Sequence, residues 1–148
     1  MERTALLDTN ILLLWLVADV DLSLLRNFKR VSQFTMQDAA NLADLTQSFH
    51  YFVTTPHILT EASNFLDHAP AYRRTDLKMA LAKFIEQSTE HYRPSVDLAR
   101  FDEFLHLGLA DCGIVDLLQG VVVITMDTHL AARVHARGGQ AVNLNYLR

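Results

Sequence analysis

The run Val121-Val122-Val123-Ile124-Thr125 constrains the fold more than any other stretch of the chain. Four β-branched aliphatics followed by threonine resist the helix and suit a pleated strand. The run is apolar without alternation, so both of its faces must be covered. That is the condition of an interior strand in a parallel sheet flanked by helices.

The rest of the chain agrees. Short β-like runs alternate with helical patterns, the signature of a parallel sheet wrapped by helices. Thr4–Leu7 reads as the first strand, Tyr51–Thr54 as the second and residues 141–144 as the last. Residues 10–17 read as a buried helix. Leu22, Leu25 and Phe28 share a helical face, as do Ala39, Leu42, Leu45 and Phe49. Thr55 is placed to cap a helix with Pro56 at its first position. That helix carries Ile58, Glu61, Ala62 and Phe65. Leu77, Leu81, Phe84 and Ile85 make an apolar stripe on a further helix. Ser95 is expected to cap a helix running to about residue 106, with Gly108 ending it. Asp111 then begins a helix that Gly120 would terminate. A helix after Asp127 runs to about Arg137 and breaks at Gly138 and Gly139.

A length of 148 residues suits one domain. Half the residues are hydrophobic, enough for a real core at this size. Cys112 is the single cysteine, which excludes an intramolecular disulfide and fits a reducing cytoplasm. The apolar stretch at residues 11–18 is too short for a membrane span, which needs ~20 residues. No basic segment and small-residue cleavage site frame it as a signal peptide. The formal net charge of -4 argues against a protein that holds nucleic acid by bulk charge. Any such contact is expected to be local or bridged by metal.

Four acids stand out by position. Asp8 directly follows the first strand, and Asp127 follows the strand Val121–Thr125 by two residues. Open parallel sheets bind ligands beyond the carboxyl ends of their strands. Glu61 lies about two turns into the helix after the second strand, and Asp111 starts a helix near the sheet end. Each acid alone has a plainer role: Asp8 and Asp127 as helix caps, Asp111 as an acid on a helix dipole, Glu61 as a solvated helix residue. Together they could meet at one sheet edge. Clustered carboxylates raise each other's pKa, and a divalent ion reverses this. Mg²⁺ and Mn²⁺ prefer such oxygen ligands and can activate water against a phosphodiester.

At this point the chain resembles the PIN-domain family. The resemblance is carried by Leu6-Leu7-Asp8-Thr9-Asn10, by Thr54-Thr55-Pro56-His57-Ile58-Leu59-Thr60-Glu61, by Gly108-Leu109-Ala110-Asp111-Cys112-Gly113-Ile114 and by Val123-Ile124-Thr125-Met126-Asp127, in that order across most of the chain. It implies a single three-layer α/β/α domain over residues 1–148 with a central parallel sheet of about five strands. It implies a Mg²⁺- or Mn²⁺-dependent endoribonuclease with Asp8, Glu61, Asp111 and Asp127 as catalytic metal ligands, supported by Asn10 and Thr125. Many family members are toxins of VapC type, neutralised by a small antitoxin protein, and many pair as homodimers. The stretch between Asp8 and Glu61 is longer here than in compact toxin-type members. Cys112 stands where a small residue is common, and His129 where a basic residue often stands.

Other chemistries fare worse. No His-Glu-x-x-His motif occurs and one cysteine cannot build a cysteine-rich zinc site. A haloacid-dehalogenase-like phosphatase expects a second Asp at the position of Asn10. A response-regulator receiver expects an acidic pair that is not found. A non-catalytic PIN-like binding or assembly module is the alternative from another class. Asp116 reads as supporting or solvated. The basic runs Arg26, Lys29, Arg30 and Arg73, Arg74, Lys78, Lys83 read as solvated faces that could also meet phosphate. Trp15 and Phe28 read as core. The apolar pattern between Leu22 and Phe49 fits either a dimer interface or the core.

Overall fold

The computed structural model describes residues 3–148. Its five strands are β1 (Thr4–Leu7), β2 (Tyr51–Thr54), β3 (Ser88–Glu90), β4 (Val121–Thr125) and β5 (Gln140–Asn143). They form one all-parallel sheet in the order β3-β2-β1-β4-β5. β4 sits between β1 and β5, and all five of its residues are buried, as its unalternated sequence requires.

The helices are α1 (Thr9–Val20), α2 (Leu24–Asn27), α3 (Met36–Thr46), α4 (Pro56–Leu66), α5 (Ala71–Gln87), α6 (Ser95–Leu98), α7 (Leu109–Val115) and α8 (Thr128–Ala136). Short 3₁₀ turns lie at Lys29–Val31, Asp102–Leu105 and Leu144–Leu147. The chain steps from β1 outward to β3, crosses back, then steps the other way from β4 to β5. Right-handed crossovers therefore put α1 to α5 on one face and α6 to α8 on the other. Within the layers, α1 touches α3, α4 and α5, while α7 touches α6 and α8; α4 also touches α7 across the layers. The result is a three-layer α/β/α domain.

α1 is the central helix of its layer. Ile11, Leu12, Leu13, Leu14, Leu16 and Val17 are all buried, because the sheet lies on one side and three helices on the others. Each such side chain contributes about 2 kcal/mol on burial. The segment between Leu22 and Phe49 completes this core. Leu24, Leu25, Phe28, Val31, Phe34, Ala39 and Leu42 are buried within the single chain. Trp15 packs partly buried against Phe52, ring centroids 5.4 Å apart.

Several local expectations are corrected. β3 escaped sequence reading because Ser-Thr-Glu is polar and sits at a sheet edge. The continuous helix expected from Ser95 to about residue 106 is broken into α6 and a 3₁₀ turn. Ser95 opens α6, but Pro94 holds the cap position and Ser95 makes no capping bond there. Gly108 precedes α7 as its N-cap rather than ending a helix. α7 stops at Val115, well before Gly120, whose φ of 73° turns the chain into β4. Ile85 leaves the apolar stripe of α5 and is exposed, whereas Leu77, Leu81 and Phe84 are buried. The last strand starts at Gln140, and Leu144 passes into the following turn. Among the described residues no helix is long and apolar enough to cross a membrane.

Candidate active site

β1 and β4 are adjacent, yet the chain leaves them toward opposite edges of the sheet. This is the switch point of the topology, where a crevice opens beyond the carboxyl ends of the strands. Register places Leu7 beside Ile124, and the Asp8 amide donates to the Ile124 carbonyl at 3.2 Å. Asp8 and Thr125 are thereby neighbours across the crevice floor.

Thr125 is buried and its hydroxyl has two tasks. It donates to Asp8 Oδ2 and accepts the Asp127 amide at 2.9 Å. Asp8 Oδ1 accepts the Ile11 amide at 3.1 Å and so caps α1. Asp127 caps α8, with Oδ1 accepting from His129 and Leu130 at 2.9 and 3.1 Å. Its Oδ2 faces no donor among the described residues. The capping roles expected for the two acids are real, and they fix the carboxylates rather than replace a role in the crevice.

Glu61 reaches the same edge from α4, which Thr55 caps through the Ile58 amide with Pro56 in the first turn. Glu61 is exposed and accepts from the Thr9 hydroxyl at 3.1 Å. Asp111, half-buried in the first turn of α7, receives no hydrogen bond among the described residues. A cleft of about 580 Å³ lies beside it, lined by His57, Thr60, Glu61, Leu109 and Ala110 among others.

The electrostatics record how these groups meet. Burial pushes the Asp8 carboxyl from 3.8 up to about 7; hydrogen bonds from Thr125 and Ile11 oppose the rise, and the charges of Asp111 and Asp127 add to it. Burial, then the charges of Asp127 and Glu61, push Asp111 up to about 6. Among the described residues none of the four acids forms an ion pair with a Lys, Arg or His.

Buried side-chain atoms without a hydrogen-bond partner, among the described residues, are Asn10 Oδ1, Thr54 Oγ1 and Asn143 Nδ2. Thr54 and Asn143 end β2 and β5, and Asn10 lies two residues past Asp8, so all three line the carboxyl edge. Native interiors rarely leave such groups unpaired, and sites are where they do.

A divalent cation fits this donor set in kind. The donors are hard oxygens, they are mutually repulsive, and Asn10 offers a further unengaged carbonyl. Among the described residues no three His, Cys, Asp or Glu side chains already close on a single point. Mg²⁺ does not require that, because it keeps several waters and takes one or two carboxylates directly.

Residues outside the crevice resolve into structural roles. Asp116 is largely covered and paired rather than solvated: His91 Nε2 and Arg93 hold it at 3.0 and 2.8 Å, tying the end of β3 to α7. Cys112 is fully buried beside Asp111, with its thiol pushed up by burial. His129 is exposed and its backbone serves Asp127. Thr9, which the sequence did not single out, donates its hydroxyl to Glu61 and so restrains that carboxylate.

No family model matches this chain, and no curated protein matches it. Among solved structures it is similar to the crystal structure of PAE2754 from Pyrobaculum aerophilum. The match has 15% identity and a TM-score of 0.57, covering 99% of this chain and 93% of that one. At that identity the similarity speaks for the fold, from end to end of the domain.

Proposed function

We propose that the protein is a metal-dependent endoribonuclease of the PIN type, acting in the cytoplasm. The observation that carries this reading is the set of four carboxylates from four elements at the switch point, with no paired cation among the described residues. A scaffold has no need to hold a buried and a half-buried acid beside further carboxylates in mutual repulsion. A site for Mg²⁺ or Mn²⁺ does.

The chain's own part follows from the bonds already described. Asp8, Asp111, Asp127 and Glu61 would hold the ion directly or through water. The Thr125 hydroxyl fixes Asp8 and the turn to Asp127 together, so the two carboxylates keep one spacing. Thr9 restrains Glu61. Asn10, whose Oδ1 has no partner among the described residues, would orient ligands or water there. When bound, the ion supplies a water of lowered pKa and stabilises charge on the phosphoryl oxygens. A toxin neutralised by an antitoxin protein, and a homodimer, are further elements of the same proposal.

The test is cleavage of a mixed RNA pool with Mg²⁺, Mn²⁺ or EDTA. Cutting should need metal and vanish in folded Asp8→Asn and Asp111→Asn proteins. Wild-type cleavage by either variant would sink the assignment, and metal binding without cleavage of any RNA would favour a non-catalytic binding module.

A further inference from the structure

A second pocket, of about 470 Å³, adjoins the acidic site, bordered by Asn10, Lys29, Arg30, Gln33, Phe65 and His68. It contains no carboxylate among these residues. We propose that it binds a non-scissile backbone phosphate of a single-stranded RNA lying along α4, a subsite that rests on the nuclease reading and adds the strand's path to it.

Helix geometry sets the path. His57, Glu61 and Phe65 are spaced by four and so form one stripe along α4, and His68 lies in the turn just past the helix end. The first cleft takes His57 and Glu61, and the second pocket takes Phe65 and His68. Between them lie the Thr9–Glu61 hydrogen bond and Asn10, the residue shared by the acidic edge and the second pocket. A strand crossing the acids therefore runs directly into the pocket.

The cations there are unspent. Lys29 is exposed and forms no ion pair among the described residues. The Arg30 guanidinium lies over the Phe65 ring, 3.7 Å from its centroid, a stack that orients the plane and leaves its N–H edge for an acceptor. Several other basic side chains are engaged elsewhere: Arg73 by Asp21 and Asp76, Lys78 by Asp67, Arg74 by the Ala69 carbonyl. In a chain of net charge -4, two free cations beside an acidic crevice form a local anion site. A flexible ammonium and a planar guanidinium suit a phosphate.

The experiment measures binding of a short labelled single-stranded RNA by fluorescence anisotropy across a salt series, in an Asp8→Asn background with Mg²⁺. Lys29→Ala and Arg30→Ala should each weaken binding roughly threefold to tenfold and flatten the slope of log K against log salt by ~0.7. Arg30→Lys should keep the slope, because it keeps the charge, and Arg26→Ala, outside the pocket, should change little. With otherwise wild-type enzyme, Lys29→Ala should raise KM and leave kcat. Loss of slope without any cleavage by wild type would retain the phosphate site and remove the nuclease. Cleavage by wild type with Lys29→Ala and Arg30→Ala indistinguishable from Arg26→Ala would remove the phosphate site and retain the nuclease. Absence of RNA binding would overturn the site.

Discussion

Buried acids occur in two settings in this molecule, and the contrast between them is instructive. Asp38 is fully buried at the start of α3, and Glu103 is almost fully buried in a 3₁₀ turn. Each has an arginine: Arg148 meets Asp38 at 2.7 Å and Arg137 meets Glu103 through two nitrogens. Both carboxyls end below their ordinary values. For Glu103 the leading cause is the Arg137 hydrogen bond; for Asp38 burial is the largest influence but is outweighed by Arg148 and the Thr35 bonds. Asp8 is also buried and has only hydroxyl and amide donors, so burial wins and drives it up to about 7. This fold can neutralise a buried carboxylate when the carboxylate is structural. At the crevice, among the described residues, no Lys, Arg or His pairs with the acids.

The largest effect should come from exchanging the two behaviours. Asp8→Asn should reduce RNA cleavage on the order of a thousandfold while leaving the metal-free fold intact. Arg137→Ala should do the reverse, leaving Glu103 buried without its partner. Its Tm should fall by roughly 5–10 °C with cleavage per folded molecule kept, read by thermal unfolding and by assay on the same samples.

The pH dependence of stability should separate them next. A carboxyl at about 7 in the fold and 3.8 unfolded binds more protons when folded, so metal-free stability should fall as pH rises from ~4 to ~7. Asp111, raised to about 6, adds to the decline over the lower part of that window. The full Asp8 shift corresponds to at most about 4 kcal/mol. Asp38 and Glu103 act oppositely: their stabilisation is present above their unfolded values and is lost as pH falls through the lowered ones. Urea unfolding in EDTA at pH 5 and pH 8 should show lower stability at pH 8, and Asp8→Asn should remove most of the difference. An unchanged difference in that variant would count against Asp8 as its source.

The chemical geometry of the crevice is legible in part from the sequence. Asp8, Asp127 and Thr125 were readable because they end or follow strands, and strand ends define the edge. Glu61 was readable by position on a helix that Thr55 and Pro56 announce locally, and Asp111 by its place at a helix start, although Gly108, the cap of that helix, was read as ending the one before. β3 was not, since an edge strand of Ser88, Thr89 and Glu90 has no apolar pattern to betray it. The break after Leu98 was hidden because Glu103 is buried by a partner 34 residues away, a contact no local pattern encodes. The ion-pair partners of Asp116 were hidden for the same reason, lying 25 and 23 residues distant.

A moderate effect is expected at Thr125. Thr125→Val keeps the shape and removes the hydroxyl joining Asp8 to the Asp127 turn. Cleavage should drop roughly tenfold to a hundredfold, with about 1–2 kcal/mol lost in stability. Equal activity in Thr125→Val would make the bond incidental. The smallest effect belongs to Thr9→Val, which frees the exposed Glu61. A severalfold rise in the Mn²⁺ concentration for half-maximal cleavage is expected, with no change in Tm.

The most direct measurement is calorimetric titration of Mn²⁺ near pH 7 in two buffers of different ionisation heat. A cation entering the uncompensated crevice should bind with stoichiometry near one and displace about half a proton, mostly from Asp8. Asp8→Asn should bind far more weakly and release almost none. Saturable binding with no proton release, or identical binding in Asp8→Asn, would contradict a metal site built on the unpaired carboxylates.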